Sequence, residues 1–377
     1  MVLTPINETH VAALTAGIKT SQAVEIWLWI IIALVFAMVV VGGATRLTDS
    51  GLSITEWQPL LGAIPPVTDG DWLAAFEKYK QIPQYALVNK GMALTEFKFI
   101  YWWEWSHRLL GRFIGVAFAL PFLFFWATGR LRAGLALKLV GLLVIGALQG
   151  AIGWYMVKSG LADRVSVSQY RLALHLGTAF AIIGLLVWLA RDESVARGGV
   201  QRAAVARGVR MGASIITALV GLQVVLGAFV AGLKAGLVYN TWPMMNGEWI
   251  PGSLNAMTPW YRNFFENMTT VQFDHRMVAY AVAIAALAQV FAVANLPSIS
   301  SVRRSAFVLA GAVFAQVAIG ILTLLSGVKL GLGLAHQAGA ALVLIAAVWH
   351  LHATYYARIE PRAISDRTRS PRDLLIG

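Results

Sequence analysis

The chain has 377 residues, of which 58% are hydrophobic and only 13% charged, and its mean hydropathy is +0.68. Soluble domains carry about 25% charged residues, so this composition excludes a soluble globule and indicates a polytopic membrane protein. The absence of cysteine excludes disulfides and thiolate metal sites, and the distribution of the +12 net charge, described below, excludes a nucleic-acid-binding role.

Residues 1–24 contain Lys19 but no arginine, and they lack the apolar core and cleavage site of a signal peptide. They are expected to form a cytoplasmic N-terminal segment, with the first span directing insertion. Eight windows can cross a hydrocarbon core of ~30 Å. They are Ile26–Ala44, Trp105–Ala127, Leu135–Tyr155, Leu172–Ala190, Met211–Ala231, Thr270–Asn295, Ser305–Leu325 and Leu334–Tyr355. Continuous apolar runs of this length must be helical, because lipid offers nothing to unpaired backbone groups. The fold class is therefore all-α integral membrane.

The basic residues fall in alternate connections. Arg130, Arg132 and Lys138 follow span two, Arg191 to Arg210 follow span four, Arg303 and Arg304 follow span six, and Arg358 to Arg372 follow span eight. By the positive-inside rule these connections and both termini are cytoplasmic, so the basic balance reports orientation, with attraction to anionic membrane lipid. A long outer loop, 45–103, separates spans one and two, and its polar part, Asp69 to Lys98, has room for a short amphipathic helix.

The second half repeats the first. Gly42, Gly51, Leu52, Trp57 and Gly62 recur 185 positions later as Gly227, Gly236, Leu237, Trp242 and Gly247. His107-Arg108 returns as His275-Arg276, Gln149 and Ala151-Ile152-Gly153 return as Gln316 and Ala318-Ile319-Gly320, and His175 returns as His336. Four spans per copy make the repeats parallel, with an axis along the membrane normal. The expected organisation is a four-helix bundle over 25–190, a basic cytoplasmic linker over 191–210, a second bundle over 211–356 and a cytoplasmic tail over 357–377.

Span two opens with FKFIYWWEWSHRLLGR, Phe97 to Arg112. Ionisable groups at a membrane helix end are costly. An interfacial belt explains Trp102, Trp103, Trp105 and the arginines, but it explains Glu104 and His107 less well. Of seven histidines, His107, His175, His275 and His336 lie at the outer ends of the even-numbered spans, two per half. A single buried histidine is more often a hydrogen-bonded core residue. Four at matched positions of a duplicated bundle instead suggest two axial imidazole pairs for haem iron. Zinc or copper would want further ligands, and only Asp274 and Glu266 lie near the second pair.

Arg108, Arg112, Arg171 and Arg276 are placed to meet haem propionates, although a lipid headgroup would serve each of them equally. Glu104 corresponds to Gln272, and Ser106 to Asp274. A carboxylate beside one of two matched sites is what a division of labour requires, one haem held and the other acted upon, unless Glu104 only orients His107 or pairs with Arg108. Gln149 and Gln316 read as interhelical hydrogen-bonding groups. His350 and His352 lie about 20 Å along the helix from His336 at 1.5 Å per residue, too far to share its haem, and His10 carries no signal.

These residues resemble haem A synthase, the bacterial and mitochondrial enzyme of haem A formation. The marks are TRLTDSGLS at 45–53, EWSHRLLGR at 104–112, GLKAGLVYNTWPMMNG at 232–247, FDHR at 273–276 and the His175 and His336 helices. The resemblance implies oxidation of the C8 methyl of haem O to a formyl group by successive hydroxylation. It implies a haem b cofactor held by His275 and His336, and haem O as substrate near His107 and His175, with Glu104 essential. Thiol chemistry found in members with a cysteine pair cannot operate here. Rival readings are a bis-histidine dihaem electron carrier and a haem carrier or assembly chaperone. The expected partners are membrane lipid, a haem O synthase by the resemblance, an electron donor the residues do not name, and a second copy in a homo-oligomer.

Overall fold

The computed structural model describes residues 21–58, 61–163, 165–198, 204–294 and 300–357. Most of the N-terminal segment, the middle of the linker and the tail expected over 357–377 lie outside the described residues, apart from Ala357. Among the described residues the architecture is all-helical, with one isolated antiparallel bridge between Met245 and Glu248. In chain order the helices are α1 (Gln22–Leu47), α2 (Asp69–Tyr79), α3 (Pro83–Leu87), α4 (Leu94–Ala127), α5 (Leu135–Asp163), α6 (Gln169–Arg197), α7 (Arg207–Gly232), α8 (Asn263–Glu266), α9 (Met268–Ala294), α10 (Ser300–Leu325) and α11 (Leu330–Tyr355). Eight of these, all but α2, α3 and α8, are long and apolar enough to cross a membrane.

The eight long helices match the eight apolar windows, but several reach further than hydropathy alone indicates. Helix α4 starts eleven residues before the apolar window, at Leu94, because Phe97, Ile100 and Tyr101 pack with Trp72, Phe76 and Tyr79 of α2 in an aromatic cluster outside the apolar run. The loop before α4 is correspondingly shorter than 45–103, and it contains the amphipathic helix anticipated there. A capping box starts that helix: the Thr68 hydroxyl accepts from the Asp71 N–H, and the Asp71 carboxylate accepts from the Thr68 N–H. These backbone and hydroxyl hydrogen bonds hold the Asp71 carboxyl below the usual carboxylate range. Helix α6 runs on to Arg197, so the first part of the basic linker continues the helix.

Helices α1, α4, α5 and α6 pack as one group and α7, α9, α10 and α11 as another. The groups differ in one respect: α9 and α10 pack closely together, whereas α4 and α5 meet only sparsely. The groups join through α6 against α7 and α11, and through α1 against α11. A single apolar cluster runs across that junction, including Leu28 and Ile31 of α1, Ile183 and Leu186 of α6, Ile216 of α7 and Leu344 of α11. In lipid such contacts gain from close packing rather than from burial away from water. The outward faces are apolar too, with Leu120, Ile284 and Phe291 exposed, as lipid contact requires.

Polar ties close the junction at both ends. At the end carrying the 48–93 segment, Arg46 Nη2 donates to the Ala231 carbonyl at 2.9 Å and Lys234 Nζ pairs with Asp49 at 3.0 Å. Each joins positions 185 apart, the offset of the sequence repeat. The Lys234–Asp49 pair is 49% and 40% exposed, so it contributes only ~0–1 kcal/mol and marks the register more than it holds it. At the opposite end His352 Nε2 lies 3.0 Å from Asp192 Oδ1, both buried, with the Trp188 ring edge-on at 5.0 Å. Nearby His350 is fully buried between Gln289 at 2.8 Å and Ser305 at 2.9 Å. Neither histidine is near the pairs described next, in keeping with their sequence spacing.

Candidate functional site

The structure brings the four outer histidines together two by two. His107 of α4 faces His175 of α6 with ring centroids 6.5 Å apart, and His275 of α9 faces His336 of α11 at 6.3 Å. Imidazole nitrogens bind first-row metals at ~2.0–2.1 Å, so with roughly one ångström from each nitrogen to its ring centre, two trans ligands of one ion sit ~6–6.5 Å apart. Both pairs have that separation. Among the described residues no three His, Cys, Asp or Glu side chains come together as a metal site, which disfavours the zinc and copper alternative. Glu266 in particular is taken up by Arg262 and Tyr170.

Each ring rests against a glycine of the long helix that precedes it in the chain. A Cβ on Gly42 of α1 would stand 3.0 Å from His107 Nε2, on Gly153 of α5 2.9 Å from His175 Cε1, on Gly227 of α7 3.1 Å from His275 Cε1, and on Gly320 of α10 2.8 Å from His336 Cε1. Real carbon contacts are ~3.5–4.0 Å, so these four positions leave room for a ring only because they lack a side chain. Four imidazoles, four glycine seats and two ligand-like separations fit two metal complexes, one of which His107 and His175 would hold and the other His275 and His336. The sequence repeat contained these glycines, but their role became legible only once the rings were placed.

Around the first pair the polar chemistry centres on Glu104. Its side chain is buried and accepts hydrogen bonds from Ser53 Oγ at 2.8 Å, the Ile54 N–H at 2.7 Å and Arg108 Nη2 at 2.5 Å. Hydrogen bonds to a charged group contribute ~1.5–3 kcal/mol each, so this carboxylate is firmly fixed. It is held by Arg108 and the loop after α1, so of the two alternative roles foreseen for it, pairing with Arg108 is observed. Arg108 also donates to the Ile54 carbonyl at 2.8 Å and the Glu56 carbonyl at 2.9 Å, and Arg112 donates to the Gln58 carbonyl at 2.9 Å. Both arginines thus staple the loop onto α4. Arg171 stacks on Tyr155, its guanidinium carbon 4.6 Å from the ring centre.

The second half repeats this frame without the acid. Arg276 Nη2 donates to the Tyr239 carbonyl at 3.0 Å, as Arg108 does to Ile54, and Gln272 donates to the same carbonyl at 3.2 Å. Arg276 is itself buried, and its Nε and Nη1 have no hydrogen-bond partner. The acid at position 104 is thus replaced by an amide at 272, while the second half carries Asp274 where the first has Ser106, so the two halves differ in where the carboxylate stands.

Glutamines complete the arrangement. Gln149 and Gln316, expected to bond between helices, donate to the main-chain carbonyls of His175 at 2.9 Å and His336 at 2.7 Å. Gln223, which sequence reasoning passed over, does the same for His275 at 3.0 Å. The signal for it was present as a glutamine four residues before a repeated glycine.

An all-helical bundle of membrane-crossing length with two internal imidazole pairs defines an integral membrane protein with two candidate sites for a metal complex. Residues 25–348 match the family profile of the cytochrome oxidase assembly protein, COX15-CtaA. The chain is 54% identical over 331 residues to a heme A synthase of Parvibaculum lavamentivorans, covering 88% of this chain and 94% of that protein. It is 53% identical over 333 residues to a heme A synthase of Nitrosospira multiformis, with 88% and 93% covered, and 52% identical over 342 residues to one of Brucella ovis, with 89% and 93% covered. The chain belongs to the COX15-CtaA family of cytochrome oxidase assembly proteins.

Proposed function

We propose that this protein is a haem A synthase, an oxidoreductase that converts haem O to haem A for terminal oxidases by successive hydroxylation of the C8 methyl to a formyl group. The relatives and the family match support the overall reaction. In this reading each half is a four-helix domain, and the halves are related by an axis along the membrane normal, in keeping with the 185-residue offset of the Arg46–Ala231 and Asp49–Lys234 contacts. His275 and His336 hold a resident haem b, and His107 and His175 receive haem O. Haem bound between the second pair supplies one-electron and oxygen chemistry.

The observation that carries the division of labour is the buried Glu104 carboxylate, whose counterpart is the neutral Gln272. Fixed by Ser53, Ile54 and Arg108, it is a preorganised negative group beside the substrate pair, able to stabilise developing positive charge or accept a proton with little reorganisation. The sparse contact between α4 and α5 falls in the same half, where a substrate must enter and leave. The unpartnered nitrogens of Arg276 suit a propionate of the resident haem, while Arg108 and Arg112 secure the loop at the rim of the substrate site. The basic connections lie at the opposite helix ends from the four histidines, which supports haem sites on the periplasmic side of a bacterial inner membrane. A haem O synthase is the expected supplier, since its product is too apolar to cross water freely.

The test is pigment extraction from cells that supply haem O. Wild-type protein yields hydroxylated and formylated haem, and Glu104→Gln yields neither while keeping its resident haem b. Haem b alone from the wild type would instead identify an electron carrier or haem carrier. Loss of all haem from Glu104→Gln would make Glu104 structural.

A further inference from the structure

Three of the four seat glycines are preceded, one helical turn earlier, by a glutamine: Gln149 before Gly153, Gln223 before Gly227 and Gln316 before Gly320. Residues four apart share a helix face, so glycine and glutamine act on the same histidine, the first making room for the ring and the second reaching its backbone. All three amides donate to the carbonyl of their histidine, and the amide nitrogens of Gln223 and Gln316 lie 3.1 Å from the Nδ1 atoms of His275 and His336, that of Gln223 being also 3.2 Å from His275 Nε2. In all three the amide oxygen is buried with no partner, and so is Nδ1 of His175. An imidazole that binds iron through Nε2 carries its proton on Nδ1 and needs an acceptor there. Turning the orphaned oxygen to that proton would take the amide N–H away from the histidine carbonyl it serves, so each glutamine holds either the backbone of its histidine, as seen, or the ring, one at a time.

The fourth position breaks the pattern. One turn before Gly42 stands Met38, the counterpart of Gln223 at the repeat offset of 185. A thioether cannot donate to a carbonyl, and the Met38 Cε packs on α4, 2.9 Å from where a Cβ on Gly111 would stand. The His107 ring is also turned differently: its Nε2 edge meets its glycine, whereas the other three present Cε1.

We propose that Gln149, Gln223 and Gln316 are positioning residues that hold their histidines in place as haem ligands, and that Met38 leaves His107 as the more readily released ligand of the substrate half. This rests on the assignment of resident and substrate haem made above. Both ligands of the resident haem are clamped, while substrate is anchored through His175 and exchanged through His107. Outer-shell partners of metal-binding histidines are typically worth 10–100-fold in affinity, and that factor separates the two halves.

The test uses full-length protein loaded with haem b at both sites and follows haem transfer to an excess of a haem-scavenging apoglobin, together with the low-spin EPR signal. Wild type should lose haem in a fast phase from the substrate half and a slow phase from the other. Met38→Gln should slow the fast phase by about 10–100-fold and leave the slow one unchanged. Gln223→Met should accelerate the slow phase by a similar factor and shift the EPR signal of the resident haem, which a purely structural role would not do. Fast-phase rates that are equal in wild type and Met38→Gln, or an unshifted signal in Gln223→Met, overturn the inference alone. A wild type that takes up no haem overturns the functional reading and this inference with it.

Discussion

Replacing Gly320 by alanine tests the link between the helix seats and haem retention. The added Cβ would stand 2.8 Å from His336 Cε1, against an ordinary carbon contact of ~3.5–4.0 Å, so the ring must retreat by about 0.7–1.2 Å. A metal–imidazole bond of ~2.0–2.1 Å does not survive a stretch of that size, so the ring, the helix or the haem must shift. Overpacking of this kind costs ~1–3 kcal/mol, equivalent to roughly 5- to 150-fold weaker haem retention. Gly311 on the same helix is the control, because a Cβ there meets nothing within 4 Å. The assay is haem content and the reduced-minus-oxidised spectrum of purified protein. Gly311→Ala should match wild type, and Gly320→Ala should lose its C-terminal haem or change its ligation. A Gly320→Ala protein with full haem and an unchanged spectrum would refute the seat argument.

Ser53→Ala removes one of the three donors to Glu104 and should cost ~1–3 kcal/mol of local order, lowering haem A yield without loss of haem b; equal yield in the variant would show that the loop does not fix the acid. Asp192→Ala leaves His352 Nε2 without its partner some 24 Å along α11 from His336 at 1.5 Å per residue. Thermal stability should fall by about 1–3 kcal/mol with haem content unchanged, and haem loss from this variant would couple the two ends of the bundle. The depressed Asp71 carboxyl makes the first turn of α2 pH-sensitive. Its contribution is complete above the ordinary carboxylate range and is lost as pH falls through the lower folded value. Hydrogen exchange at the Asp71 and Trp72 amides should quicken there, and protection that persists with Asp71 protonated would count against the cap.

The eight apolar helices were legible because lipid demands long apolar runs, and the four histidines were legible because the sequence repeat matches them two by two. The outward extension of α4 to Leu94 was not, since Phe97, Ile100 and Tyr101 are held by aromatic contacts to α2, which hydropathy does not register. The Glu104–Gln272 difference stood out in the aligned repeats, but the hold of Ser53 and Ile54 on that carboxylate depends on how the loop folds back over α4. That Arg108 and Arg112 bind loop carbonyls was not legible, because sequence cannot show how the loop lies over α4. Gln223 and Met38 escaped notice for a different reason: an amide or a thioether inside a span is ordinary until the ring beside it is located.

The most direct test of two imidazole pairs with separate duties is haem quantification and optical spectra of the purified protein, wild type beside His275→Ala and His107→Ala. The account predicts that His275→Ala loses the resident haem b, while His107→Ala retains it and forms no haem A. Loss of haem b from His107→Ala together with its retention in His275→Ala would contradict it.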